Sequence, residues 1–211
     1  MSLCIELRDQ TKSPYMTSLQ VSSFSKLAYG LGSIAFGIKN NGFDYFFLIF
    51  YSQVMGVDAY LVGVALLIAM MVDAFSDPLI GYISDNTRSR WGRRHPFMYF
   101  AALPVALSYY FMWNPPASLS GNDLFPYIVV MAIFVRTLIT VYEIPSSALV
   151  AEMTQDYDER TSVLSYRFFF GWTGGTMMGF YTLTYLLPST NLSNGLFNIQ
   201  GYGQMGLIAA I

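Results

Sequence analysis

Long apolar runs, broken by few polar positions and separated by short polar turns, dominate the pattern along this chain. A helix needs about 20 mostly apolar residues to cross a bilayer, and five stretches meet that length: 27–54, 59–83, 96–113, 125–151 and 163–187. A sixth begins near Tyr202 and is still apolar at Ile211, so it reads as an incomplete helix in a truncated chain. The connections carry turn residues, as at Asn114-Pro115-Pro116 and Ser193-Asn194-Gly195, and leave no room for a soluble domain. The expectation is an all-α integral membrane protein, with a leader over 1–25 and a transmembrane bundle over 26–211.

Composition supports this reading. Of the 211 residues, 54% are hydrophobic and only 11% charged, against about 25% charged in soluble domains; mean hydropathy is +0.43. The net charge of −2 gives no basic excess for nucleic acid, so none is expected as a partner. Lipid is the expected surrounding of so apolar a chain. Basic residues matter by position. Arg88, Arg90, Arg93 and Arg94 fall between the second and third spans, Arg8, Lys12 and Lys26 precede the first, and Arg160 follows the fourth. The alternate connections, near Asp58, Asp123 and Asn194, hold no Lys or Arg. Lys and Arg concentrate on the cytoplasmic side of a membrane protein, which puts the amino terminus in the cytoplasm of a multi-pass protein of the cell (inner) membrane. No apolar signal region precedes the first span. Cys4, the single cysteine, has no internal partner for a disulfide.

Ionisable groups inside the spans are where chemistry is sought, because each costs at least about 2.5 kcal/mol near the bilayer centre. The second span holds Asp73 and Asp77, four apart and therefore on one helical face, with Ser76 and Pro78 beside them. Two carboxylates so close repel in a low dielectric, so the pair suits Na+, Li+ or H+. The competing reading is that each only forms an ion pair with Arg136 or Arg167. In the fourth span Arg136 and Glu143 are seven apart, too far for a pair within one turn, so each is expected to reach another helix. Glu143 precedes Pro145, a residue that removes a backbone hydrogen bond and can open a cavity wall. It is placed either to accept from sugar hydroxyls or to pair with Arg167 or Lys39. Asn40, Asn41 and Asp44 form a polar stripe on the first span, for solute contact or for helix association, with Lys39 available to neutralise Asp44 or an acid elsewhere.

The remaining features are weaker. Gly171, Gly175 and Gly179 repeat every four residues, the spacing that permits close helix contact. Tyr45, Tyr51, Tyr109, Tyr110 and Trp113 read as interfacial anchors, while Trp172 and Tyr142 lie deeper, where a sugar ring would stack. His95 reads as a structural residue of the arginine loop. There is no Gly-x-x-x-x-Gly-Lys phosphate loop, no HExxH, no Gly-x-Ser-x-Gly and no His/Cys cluster, so neither a primary pump nor an enzyme is suggested. No cofactor is expected beyond the coupling ion.

The run Asp73-Ala-Phe-Ser-Asp77-Pro78-Leu-Ile-Gly81, continuing through Asp85-Asn-Thr-Arg88-Ser-Arg90-Trp91-Gly92-Arg93, resembles the glycoside–pentoside–hexuronide:cation symporters, the melibiose permease group of the major facilitator superfamily. The likeness extends to Tyr29-Gly30-Leu-Gly32, Glu143-Ile-Pro145 with Ser147-Ala-Leu149, and Arg167-Phe-Phe, covering the chain from about Lys26. The resemblance implies the amino-terminal six-helix bundle of a twelve-helix fold that works by alternating access. It implies that Asp73 and Asp77 bind the coupling cation with help from Ser76 and Thr140, and that Glu143 and Arg167 contact the sugar. Asn40, Asn41, Asp44, Lys39 and Arg136 are further substrate-contact candidates. The arginine loop resembles the facilitator gate signature, with Asp85, Arg88, Arg90, Arg93 and Arg94 pairing to acids after the fourth span, here Asp156, Asp158 and Glu159. Three positions depart from the family pattern. Gly37 stands at a sugar-binding aspartate, Ser147 at a stacking tryptophan, and Arg136 has no charged counterpart. A different sugar follows, with a charged hexuronide among the candidates.

The function expected is cation:glycoside symport. Its rivals are a cation-independent facilitator or exchanger, and a non-transporting membrane receptor.

Overall fold

The structure is a computed structural model that describes residues 21–189 and 195–210. Arg8, Lys12, Cys4, most of the leader, Asn194 and Ile211 lie outside the described residues. No strand occurs among the described residues, which fold into six rods.

The first rod is segmented. Helix α1 (Ser23–Gly32) is followed at Ser33 by α2 (Ile34–Asn41), and the rod then widens into π-helical turns over Gly42–Phe47 and Phe50–Val54. The second rod is α3 (Ala59–Asn86), which runs unbroken through Pro78. Asp58 starts it, accepting from the Tyr60 backbone N–H at 3.0 Å. Helix α4 (His95–Trp113) is the third rod, so His95 opens a helix and does not sit in a loop. The fourth is α5 (Phe125–Ala148), continued after Leu149 by α6 (Val150–Met153). The fifth is α7 (Tyr157–Tyr181), capped by Asp156 and extended by a π-helical turn over Thr182–Leu186. The sixth is α8 (Ile199–Ala210).

Two of these, Ala59–Asn86 and the continuous rod Gly121–Met153, are long and apolar enough to cross a membrane, with mean hydropathies of 2.0 and 2.1. The other rods are segmented, rich in Tyr and Trp, charged or short. The first is divided at Ser33 and holds Lys39 and Asp44, and α7 holds Asp158, Glu159, Arg160 and Arg167.

Packing joins the rods in parallel pairs. Along α3 and α5, Asp58 meets Asn122, Asp73 meets Arg136 and Gly81 faces Ile144, residues 63 or 64 positions apart at each level. The first rod and α7 keep a similar register. Lys26 meets Ser162, Ser33 Oγ lies 2.6 Å from the Arg167 carbonyl, and Gly37 abuts Gly171. That last approach requires glycine, since a Cβ at Gly37 would run into the Gly171 carbonyl and one at Gly175 would come within 2.7 Å of the Gly37 oxygen. Gly179, third in that series, meets nothing and lies outside the contact. Helix α4 packs against α5 and α8.

At one end of the bundle the first rod's π-turns spread Phe43, Phe46, Phe47, Phe50 and Tyr51 into an aromatic core with Tyr109, Trp113 and Tyr202. Tyr51, Tyr109 and Trp113 are therefore buried core residues here, not interfacial anchors. The outer faces carry large exposed side chains such as Phe75, Phe100, Leu103, Phe134 and Phe180, a surface suited to lipid and not to water.

Candidate functional site

The opposite end of the bundle gathers the charges of the arginine loop. Gly92, at φ +92°, makes the turn that brings the loop back onto α4. Arg94 then donates to Asp85 at 2.8 Å and lies 3.2 Å from Glu152, and Arg93 reaches Glu152 at 3.3 Å. The acid that answers the loop is thus Glu152 on α6, which the sequence reading passed over. The three acids it proposed do other things. Asp156 caps α7, Glu159 pairs with Lys26 at 2.7 Å, and Asp158 has no ion pair among the described residues. Arg88 and Arg90 likewise have no ion pair among the described residues. The reason lies in the helix start: the first turn of α7 turns Glu159 to Lys26 of the first rod, while the last turn of the fourth rod brings Glu152 to the loop.

Two further ion pairs lie in the middle of the bundle. Arg136 Nε of α5 donates to Asp73 Oδ2 of α3 at 2.5 Å, and its guanidinium carbon lies over the Phe43 ring, 5.6 Å from the centroid. The Asp73 side chain is 13% exposed and that of Arg136 29%. Asp73 Oδ1 and Asp77 Oδ1 are buried with no hydrogen-bond partner. The α3/α5 register sets Thr140, a buried residue, level with Asp77. Ser76 Oγ donates to the Asp73 carbonyl at 3.4 Å. All four residues assigned to a cation site are therefore at two adjacent levels of one helix pair, with an arginine on one carboxylate.

The second pair joins Arg167 of α7 to Glu143 of α5. Arg167 is only 6% exposed. Its second donor goes to Tyr29 Oη at 2.8 Å, and Tyr29 in turn donates to the Ser146 carbonyl at 2.7 Å. Tyr29 thus belongs to the site. Its motif had been read for family likeness alone.

Beside this pair opens a cavity of about 350 Å³. Asn40, Asn41 and Asp44 line it from the first rod, Glu143 and Ser147 from α5, and Leu164, Arg167, Phe168 and Trp172 from α7. Lys39 and Arg136 do not line it. Lys39 Nζ donates to the Ala209 carbonyl at 3.1 Å and lies over the Tyr109 ring, so it pairs with neither Asp44 nor another acid among the described residues. Tyr142 borders a smaller space with Lys39. Pro145 is buried and α5 passes straight through it, with the break delayed to Leu149. Gly37 borders the cavity as backbone only, because the contact with Gly171 fills the space its side chain would need.

An all-helical bundle among the described residues, with an apolar exterior, paired charges in its middle and polar side chains at a central cavity, has the features of a helical membrane protein. Comparison with known proteins agrees. The MFS/sugar transport protein family matches residues 28–211. A symporter from Synechocystis sp. is 36% identical over 192 residues, covering 89% of this chain and 34% of that protein. The inner membrane symporter YicJ of Escherichia coli is 33% identical, covering 85% of this chain and 38% of its own length. The isoprimeverose transporter of Lactiplantibacillus pentosus is 27% identical, at 88% and 38%. The chain belongs to the MFS/sugar transport family, as a member like the glycoside–pentoside–hexuronide:cation symporters. It spans between a third and two fifths of the length of these relatives.

Proposed function

We propose that this chain supplies half of the pathway of a cation:glycoside symporter of the inner membrane, with a multi-pass topology and the arginine-loop end in the cytoplasm. The coupling ion, Na+, Li+ or H+, is held by Asp73 and Asp77 with Ser76 and Thr140, and the glycoside lies against Asn40, Asn41, Asp44, Glu143, Arg167 and Trp172. The observation that carries the reading is the pair of buried carboxylate oxygens, Asp73 Oδ1 and Asp77 Oδ1, one helical turn apart and without a partner. Such oxygens are costly in a bilayer unless something positive completes them.

The cavity favours a neutral sugar over a hexuronide. Its charged lining is Asp44, Glu143 and Arg167, and the one cation among them is already engaged by Glu143 and Tyr29. An anionic sugar would meet two carboxylates and no free base. Amides, carboxylates and the exposed face of Trp172 are the groups that bind sugar hydroxyls and ring faces.

A labelled panel of neutral glycosides and hexuronides, presented to vesicles holding the full-length protein with Na+ and pH gradients imposed separately, tests both points. Uptake of a neutral glycoside driven by one gradient is expected, with Asp77→Asn abolishing that drive. Gradient-independent uptake that Asp77→Asn leaves intact would overturn it in favour of a second reading, a cation-independent facilitator or exchanger. The Asp73–Arg136 ion pair is the observation that favours that alternative.

A further inference from the structure

Arg136 sits in the proposed cation site but belongs neither to its ligand set nor to the sugar cavity. Its Nε is 2.5 Å from Asp73 Oδ2, and its guanidinium carbon lies over the Phe43 ring of the first rod, 5.6 Å from the centroid. A guanidinium stays charged throughout the accessible pH range, so this is a permanent cation tethered to α5 beside Asp73. The cluster of Asp73, Asp77 and Arg136 carries two negative charges and one positive. A site of two carboxylates that needs one monovalent ion becomes a site whose first half is filled from within.

Resting on the cation-site reading above, we infer that Arg136 is a tethered counter-cation that occupies the Asp73 half of the site, so an alkali ion from solution competes with it and sets its affinity against it. The ion meets Asp77 Oδ1 and the free Asp73 Oδ1 first, and gains the rest of Asp73 only by displacing the arginine. Displacement keeps a seat for the guanidinium on the Phe43 ring, one residue from Asp44 of the sugar cavity. Arg136 is therefore an affinity-setting residue and not a ligand of the ion or a contact of the sugar.

Binding of radiolabelled Na+ to the purified full-length protein, read by scintillation proximity with no sugar present, tests this. Arg136→Gln is expected to tighten Na+ binding by about ten- to a thousandfold, the range over which one neighbouring charge acts on a buried carboxylate. Arg136→Lys, which keeps the charge, should stay weak. Asp73→Asn alone strands the arginine charge and should weaken binding further, while Asp73→Asn with Arg136→Gln should return it to the wild-type level. That double variant leaves no unpaired charge from the ion pair, so it also serves if Arg136→Gln does not fold. Unchanged or weaker Na+ binding in Arg136→Gln, or failure of the double variant to recover, overturns the inference. If Asp77→Asn abolishes Na+ binding in that same case, the cation site stands without the tethered cation. Sodium binding that Asp77→Asn leaves untouched overturns both, whereas sodium binding that no variant shows overturns the inference alone.

Discussion

At the level of single residues, Gly37 shows how one position is claimed by packing. The family pattern has a sugar-binding aspartate there, yet in this bundle any side chain would enter the Gly171 carbonyl. Gly37→Ala is expected to lower stability by about 1–3 kcal/mol, the usual cost of overpacking a tight contact, seen as a reduced thermal unfolding midpoint in detergent. Gly179→Ala, with open space around it, should leave the midpoint unchanged or slightly raised. Equal losses at both positions would refute the close-contact account. Helical spacing is enough to put Asp73 and Asp77 on one face and to send Arg136 and Glu143 each to a partner on another helix. It did not decide whether Asp73 would take Arg136 or Arg167, because that choice depends on the register between helices. Tyr29 was missed for a similar reason. Its hydroxyl bridges Arg167 and the Ser146 carbonyl, residues 138 and 117 positions away.

At the level of elements, the apolar runs marked where helices lie, but their interior irregularities left no trace in hydropathy. The break at Ser33 follows from a hydroxyl shared with the Gly30 and Arg167 carbonyls, and the π-turns at 42–54 from the bulk of consecutive aromatics around Tyr109, Trp113 and Tyr202. The gate acids were misjudged because three acids within the four residues 156–159 drew attention from one acid in an apolar context. Of the acids from 152 to 159, Glu152 is the one paired with Arg93 and Arg94. Glu152→Gln should loosen the arginine-loop end of the bundle, while Asp158→Asn should not. Labelling of a cysteine introduced at Ser147, in a Cys4→Ser background, by a membrane-impermeant maleimide from the cytoplasmic side is expected to accelerate in the first variant only. Equal labelling in both would remove Glu152 from the gate.

For the whole molecule, the charge asymmetry predicts an absolute orientation. In sealed cells, an impermeant thiol reagent should fail to reach Arg90→Cys and should label Asn122→Cys, with the pattern inverted in inside-out vesicles. The reverse pattern would invert the topology. The same asymmetry separates the charges into two sets. Lys26, Asp85, Arg93, Arg94, Glu152 and Glu159 knit one end together, whereas Asp73, Arg136, Glu143 and Arg167 sit in the interior, where charge is expensive and pairing is obligatory.

Those interior pairs share a helix. Arg136 and Glu143 are both on α5, two turns apart and roughly 10 Å along its axis, one grasping α3 and the other α7. A stiff rod gripped at two points cannot slide or roll at one grip while the other stays still. Whatever loosens Arg136 from Asp73 is therefore felt at Arg167, at the wall of the central cavity, without any contact between the two ion pairs. Coupling between the two proposed sites would then run through the rigidity of one helix and not through a shared binding site.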